Sequence, residues 1–189
     1  MNSKILDRYD ITSDNRFIID VNIPGPDELF EQYDYNASFY KKDLNTRFEE
    51  YLLDCVDEIG LKNKLIIRIT LPEDQAKKTD EGDIIYSFKQ FFKYGILTCQ
   101  KEIKKISFRL LLHLGFAALA LIFMIAFNIA DIGTGSGIFH LVVSGLPAAI
   151  WVILLAGLSR FLFRLMTQQS QIKMYLALKN TPVEFVYTR

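Results

Sequence analysis

Histidine and cysteine are scarce in this 189-residue chain, and their scarcity removes whole classes of chemistry. There are two histidines, His113 and His140, and both fall inside long uncharged stretches. Ser38 and Ser87 therefore have no histidine in the polar part of the chain, which argues against a Ser–His or Cys–His nucleophile. The two cysteines, Cys55 and Cys99, stand 44 positions apart without CxxC or Cys/His spacing. Each falls on an apolar helical face, where a thiol acts as a small buried hydrophobe. No metal site and no cofactor are expected. HExxH, DxD and P-loop patterns are absent, and the carboxylate pair Asp27/Asp34 alone does not supply one. Nor is there an apolar h-region between Met1 and Asn15, so no cleaved signal peptide is expected.

An excess of positive charge is also missing. The 22 basic and 22 acidic residues cancel, but not evenly along the chain. Residues 1–60 hold 14 acidic against 6 basic residues, and residues 101–189 hold 9 basic against 3 acidic. An acidic front with a basic, apolar back is not the pattern of a nucleic-acid binder.

Charge is wholly lacking in two places. Residues 110–130 read LLLHLGFAALALIFMIAFNIA, and residues 138–158 read IFHLVVSGLPAAIWVILLAGL. Each is long enough to cross about 30 Å of hydrocarbon as a helix. A domain this small has no interior that could surround two such helices on every side. They are read as a transmembrane hairpin closed by an extracytoplasmic turn at 131–137, DIGTGSG, which has no Lys or Arg. Its glycines suit a tight turn rather than a phosphate loop, since no strand precedes them and no lysine follows. Basic residues collect at the other ends: Lys101, Lys104, Lys105 and Arg109 before the first span, Arg160 and Arg164 after the second. The positive-inside rule then sets both termini in the cytoplasm of a multi-pass inner-membrane protein, with these six side chains at lipid headgroups. Small residues at Gly115, Ala118 and Ala126, and at Gly145, Ala149 and Gly157, suit close helix packing within the hairpin or between protomers. Pro147 is expected to kink the second span.

Around the hairpin the pattern is that of a soluble head. Alternation over Phe17, Ile19, Val21 and Ile23, over Leu65, Ile67, Ile69 and Leu71, and over Val183, Phe185 and Tyr187 predicts three strands. A loosely alternating Ile5–Ile11, followed by Ser13-Asp14-Asn15, suggests a fourth in a starting hairpin. A helix carries Phe48, Tyr51, Leu52, Cys55, Val56 and Ile59 on one face, capped by Asn45 or Asp43 and ended by Gly60. A second begins near Asp80 and meets no breaker before the first span. The helix from the second span runs likewise toward Asn180.

The expected fold is therefore α+β with a membrane element. It is a cytoplasmic mixed β-sheet of three or four strands with helices on one face, interrupted by a transmembrane α-helical hairpin inserted before the last strand. The first two strands, joined through a helix, are expected parallel, and the last antiparallel to them after a turn at Asn180–Pro182. In domain terms this gives a head at 1–100, a basic juxtamembrane helix at 101–109, the spans and turn, and a returning helix and strand at 159–189 that complete the head.

One connection is unusually long. Residues 24–42 combine acids with aromatics and leave the carboxyl end of a parallel strand, where open α/β sheets bind ligands. Asp27, Glu28, Phe30, Tyr33, Asp34, Tyr35, Phe39 and Tyr40 are the candidate partner-binding residues. The competing reading is a lid whose aromatics cap the core. The run FIIDVNIPGPDELFEQYD, with FYKKDLNTRFEEYLLDCVDEIG, LIIRITLP and NTPVEFVY, resembles a group of small bacterial two-span membrane proteins to which no activity is attached. That resemblance implies a bacterial source and the two-span layout. With no catalytic constellation, the expected role is a membrane-anchored interaction or scaffold protein. Its partners would be the bilayer, a cytoplasmic protein or further copies of itself, and not nucleic acid. The alternative is an oligomeric membrane effector or channel built from such hairpins; an enzyme using loop carboxylates is the third reading.

Overall fold

The computed structural model describes residues 3–31, 42–76, 80–129 and 137–188. In chain order the elements are α1 (Ser3–Leu6), β1 (Arg16–Asn22), α2 (Thr46–Ile59), β2 (Lys64–Pro72), α3 (Glu81–Ile129), α4 (Gly137–Asn180) and β3 (Val183–Thr188). Short 3-10 turns at Pro26–Leu29 and Glu73–Gln75 follow the first two strands. The chain divides into two compact units, one of residues 1–98 with 170–189 and one of residues 99–169.

The first unit is the head, a three-stranded sheet in the order β1-β2-β3. Strand alternation sends Phe17, Ile19 and Val21 of β1 and Leu65, Ile67, Ile69 and Leu71 of β2 to a single core face. There they meet Phe48, Leu52, Val56 and Ile59 of α2, Ile84, Phe88 and Phe92 of α3, and Leu178 of α4. The opposite face carries Ile18 and a row of charge, where Arg68 lies 3.8 Å from Asp20 and 3.7 Å from Glu184 on the flanking strands. Partly exposed ion pairs like these contribute about 0–1 kcal/mol each, so the core face carries the stability.

Local signals decide where the elements start and stop. Asn45 accepts a hydrogen bond from the Arg47 amide at the start of α2, and Gly60 ends that helix at φ 86°, in the left-handed region. Asp80 caps α3 through the Asp83 amide at 3.1 Å. Without proline or glycine clusters to stop them, α3 and α4 run for 49 and 44 residues, and α4 continues past Pro147.

Two expectations are corrected. The sheet is wholly parallel rather than mixed, because β3 pairs with β2 in the same direction, from Ile67 opposite Val183 to Pro72 opposite Thr188. The link at Thr181–Pro182 does not reverse the chain. Helix α4 ends beside the middle of β2, where the Ile67 amide donates to the Pro182 carbonyl at 3.0 Å. The strand then carries on in the helix's direction until the Tyr187 hydroxyl reaches Glu81 at the start of α3, 2.9 Å away. The starting hairpin also shrinks. Residues Ser3–Leu6 are helical, and only the bridge between Ile11 and Phe17 remains of the fourth strand, closed by Asn15 at φ 62°.

The second unit holds the apolar parts of α3 and α4. Its half-buried residues include Leu110, Ala117, Ala120 and Met124 on α3, spaced seven, three and four apart, and Leu154, Gly157, Phe161 and Leu165 on α4, spaced three, four and four apart. That spacing is the seam of a two-helix coil. Most of the other described side chains in this unit face outward: Phe116 is 71 % exposed, Trp151 64 % and Phe163 75 %. Both helices are long and apolar enough to cross a membrane, and of the apolar windows that qualify them 0 % and 6 % are buried.

Candidate functional site

Three parallel strands share one carboxyl edge, and the long 24–42 connection leaves from it. After β1 the Ile23 amide still donates to the Thr70 carbonyl at 3.1 Å. Pro26 then opens the first 3-10 turn, with Asp27 and Glu28 exposed on it. The turn drives the next two side chains inward, so that Leu29 is 0 % and Phe30 4 % exposed. Phe30 lies 6.4 Å from the Phe88 ring, and the Lys42 ammonium stands over it at 5.4 Å. Phe30 is thus part of the core and is not available to a partner, as the lid reading of this connection requires at that position.

The returning half of the connection is zipped to the outgoing half. Phe30 bridges Leu44, the Glu31 amide donates to the Asp43 carbonyl at 3.0 Å, and the Asn45 amide donates to the Leu29 carbonyl at 2.9 Å. Glu31 adds a cap, its carboxylate accepting from both the amide and the hydroxyl of Thr46 at 2.8 Å. Those bonds, the hydroxyl's first, hold the Glu31 carboxyl below the usual carboxylate range. The base of the connection is a fixed stem. Tyr33, Asp34, Tyr35, Phe39 and Tyr40 lie outside the described residues.

Beside the stem is a cleft of about 570 Å³ that joins it to α3, lined by Lys42, Asp43, Gln90, Phe91, Lys93 and Tyr94 among others. Sequence reasoning missed Lys93 and Tyr94. They fall on the polar side of a helix read only for its apolar face, and nothing in their spacing sets them against Lys42.

The thiol of Cys55 is buried on α2 near Tyr9 and Tyr51, and burial pushes its pKa up. A thiol held protonated in this way is a poor nucleophile. Tyr9 donates to Glu58 at 2.7 Å, and Tyr51, itself pushed up to about 12 by burial, donates to the Asp20 carbonyl at 2.9 Å. These contacts are structural ties between α2, β1 and the N-terminal segment. Among the described residues no group of three or more His, Cys, Asp or Glu could hold a metal ion.

In the second unit Lys101, Lys104, Lys105, Arg109, Arg160 and Arg164 are all exposed, and Lys105 pairs with Glu102 at 3.4 Å. The His113 Nδ1 is 2.7 Å from the Arg109 carbonyl. Of the small residues, Gly115, Ala118, Ala126 and Gly145 face outward. Gly157 sits on the seam, but a Cβ there would meet nothing within 4 Å. It borders an apolar cleft of about 380 Å³ shared with Ala117, Ala120 and Leu154. The side chain of Ala149 lies outside the described residues.

No protein-family model, curated protein or solved structure matches this chain.

Proposed function

We propose that the protein is a membrane-anchored interaction module. The hairpin crosses the cytoplasmic membrane, both termini stay in the cytoplasm, and the head presents the 24–42 connection to a protein partner. The outward-facing apolar surface of the hairpin carries this reading. A core helix would hide its apolar residues, and these two bare them. Leaving a large apolar side chain in water forgoes about 1.5–3 kcal/mol, and more than a dozen face outward here. Lipid removes that cost. The exposed lysines and arginines at one end of both uncharged stretches support the orientation.

The fixed stem supports the docking role, since it returns the ten residues 32–41 to a defined base beside the exposed Asp27 and Glu28. The thiol of Cys55, held protonated by burial, favours binding over thiol catalysis.

Alkaline carbonate extraction of membranes tests the anchor, and protease treatment of spheroplasts tests the orientation. The chain is expected in the carbonate-resistant pellet, with tags at residues 1 and 189 protected until the cells are opened. Release by carbonate ends the anchored reading, and digestion of either tag in intact spheroplasts ends the orientation. In vivo crosslinking from a photoreactive residue at position 28 tests docking. A discrete adduct that Tyr33→Ala with Tyr35→Ala abolishes is the expected result, and an adduct unchanged by that pair removes the connection from the docking surface.

The outward Gly115, Ala118, Ala126 and Gly145 favour a second reading, an oligomeric membrane effector. Two spans cannot enclose a pore, so that reading needs several hairpins, and native mass measurement in detergent showing monomer alone would remove it.

A further inference from the structure

We propose that the apolar cleft between α3 and α4 is a binding site for a neutral, single-chain lipid with a hydroxyl at its polar end. The site rests on the membrane reading proposed above. The cleft holds about 380 Å³ and is lined by His113 and Trp151 among other residues. That volume falls in the ordinary range of small-molecule pockets, about 300–1,000 Å³. Its room comes from small side chains, since Ala117, Ala120 and Gly157 form part of the wall. A Cβ on Gly157 would meet nothing within 4 Å.

His113 sets the polar end. Its Nδ1 lies 2.7 Å from the Arg109 carbonyl. A carbonyl oxygen only accepts, so Nδ1 carries the ring hydrogen and Nε2 of the neutral ring is an acceptor. Among the described residues no other hydrogen bond reaches this ring. An acceptor left unmet in hydrocarbon is destabilising. A neighbouring helix offers no backbone remedy, because its amides are already bonded within that helix. The complement to Nε2 is a donor carried by a small molecule.

Depth selects the kind of donor. His113 lies four residues beyond Arg109, about 6 Å deeper at the helical rise. A phospholipid whose headgroup meets Arg109 keeps its phosphate above that level. Drawing the phosphate down would take a charge into hydrocarbon, and its oxygens accept as Nε2 does. A hydroxyl is neutral, and it donates. Beyond it, the seven residues from His113 to Ala120 give a chain about 10 Å of apolar wall.

Trp151 is the only tryptophan in the chain and lines the cleft, so its fluorescence reports occupancy. The full-length chain is placed in phospholipid nanodiscs and titrated with bromine-terminated decanol, the bromine acting as quencher. A parallel titration uses the methyl ether of the same compound, which accepts but cannot donate. Quenching by the alcohol is expected to saturate. Half-saturation should come at a mole fraction about threefold to tenfold below that of the ether, the effect of one neutral hydrogen bond. Equal quenching by the two compounds, or quenching that only rises linearly as for passing acyl chains, overturns the proposal. His113→Phe is expected to bring the alcohol to the level of the ether, and a hydroxyl preference that survives it refutes the assigned polar end. Gly157→Leu fills the cleft and should leave only the linear background; saturation that persists there refutes the assigned cavity. Circular dichroism checks that both variants fold, and the alcohol–ether comparison in the wild type needs neither. Release by carbonate would defeat the anchored reading itself, whereas a carbonate-resistant chain without hydroxyl preference defeats this site alone.

Discussion

The head and the hairpin are built from the same aliphatic and aromatic side chains and turn them in opposite directions. In the head, Ile19, Leu52, Ile67 and Ile84 have 0–1 % of their surface exposed. In the hairpin, Phe116, Ile122 and Phe163 have 63–75 % exposed. What separates them is the placing of polar residues. Head helices alternate apolar and charged faces, so one side has somewhere to go. The stretches 110–130 and 138–158 have no charged face at all, and a pair of helices can hide only the seam between them. The contrast shows that a high apolar content says little until its angular distribution is known.

The largest effect expected from breaking this contrast comes from cutting between the two units. The head core is closed by Leu178, Tyr175 and β3, all of which follow the hairpin in sequence. A chain ending at residue 98 is expected to lose cooperative unfolding altogether. Replacing 99–169 with a short Gly/Ser linker is expected to give a soluble head that melts cooperatively, because Gly95 and Tyr175 touch and the two ends therefore start close together. Circular dichroism melts of the two proteins check this. Next in size are single truncations. Ile67→Ala, at a position with no exposed surface, is expected to cost about 2–5 kcal/mol. Phe163→Ala, at 75 % exposure, should stay within about 0.5 kcal/mol. Denaturant titration in detergent compares the two in the full chain.

Much of the head was legible because its signals are local. Alternation located all three strands to within a residue or two, Asn45 and Asp80 were recognisable as caps, and the unbroken helices followed from the lack of any breaker. The direction of β3 was not legible. Asn180-Thr181-Pro182 reads equally as a reversal or as a straight link, and the choice depends on where α4 stops relative to β2, a tertiary fact. The same limit applied at Phe30. Its acidic neighbours suggested a surface, while the 3-10 turn at Pro26–Leu29 rotates it into the core. The cleft between Lys42 and Lys93 joins residues 51 positions apart, and no periodicity links them.

A smaller effect tests how the returning helix is locked into the head. A Cβ on Gly95 would stand 2.9 Å from the Tyr175 ring, closer than side chains tolerate, and the Tyr175 hydroxyl donates to Glu49 at 2.6 Å. Gly95→Ala is expected to cost about 1–3 kcal/mol through overpacking, and Tyr175→Phe about 1 kcal/mol through the lost hydrogen bond. In Gly95→Ala with Tyr175→Ala the clash disappears, so the pair should cost less than the two single changes added together. Additive costs would show that the contact does not constrain the packing.

The smallest effect concerns the stem, and its sign is set by pH. Glu31 has a carboxyl pKa lowered by the bonds it accepts from Thr46. A group whose folded pKa is depressed contributes stability above its unfolded pKa and loses it as the pH falls through the folded value. Glu31→Gln is therefore expected to lower the melting temperature at pH 7 and to make a progressively smaller difference as the pH falls and the wild-type carboxylate is itself protonated. Asn45→Ala, which removes the neighbouring cap at a typical cost of about 1 kcal/mol, carries no charge and should cost the same as the pH falls. If Glu31→Gln behaved like Asn45→Ala across that range, the stem would be held by shape and backbone bonding rather than by the ionised carboxylate.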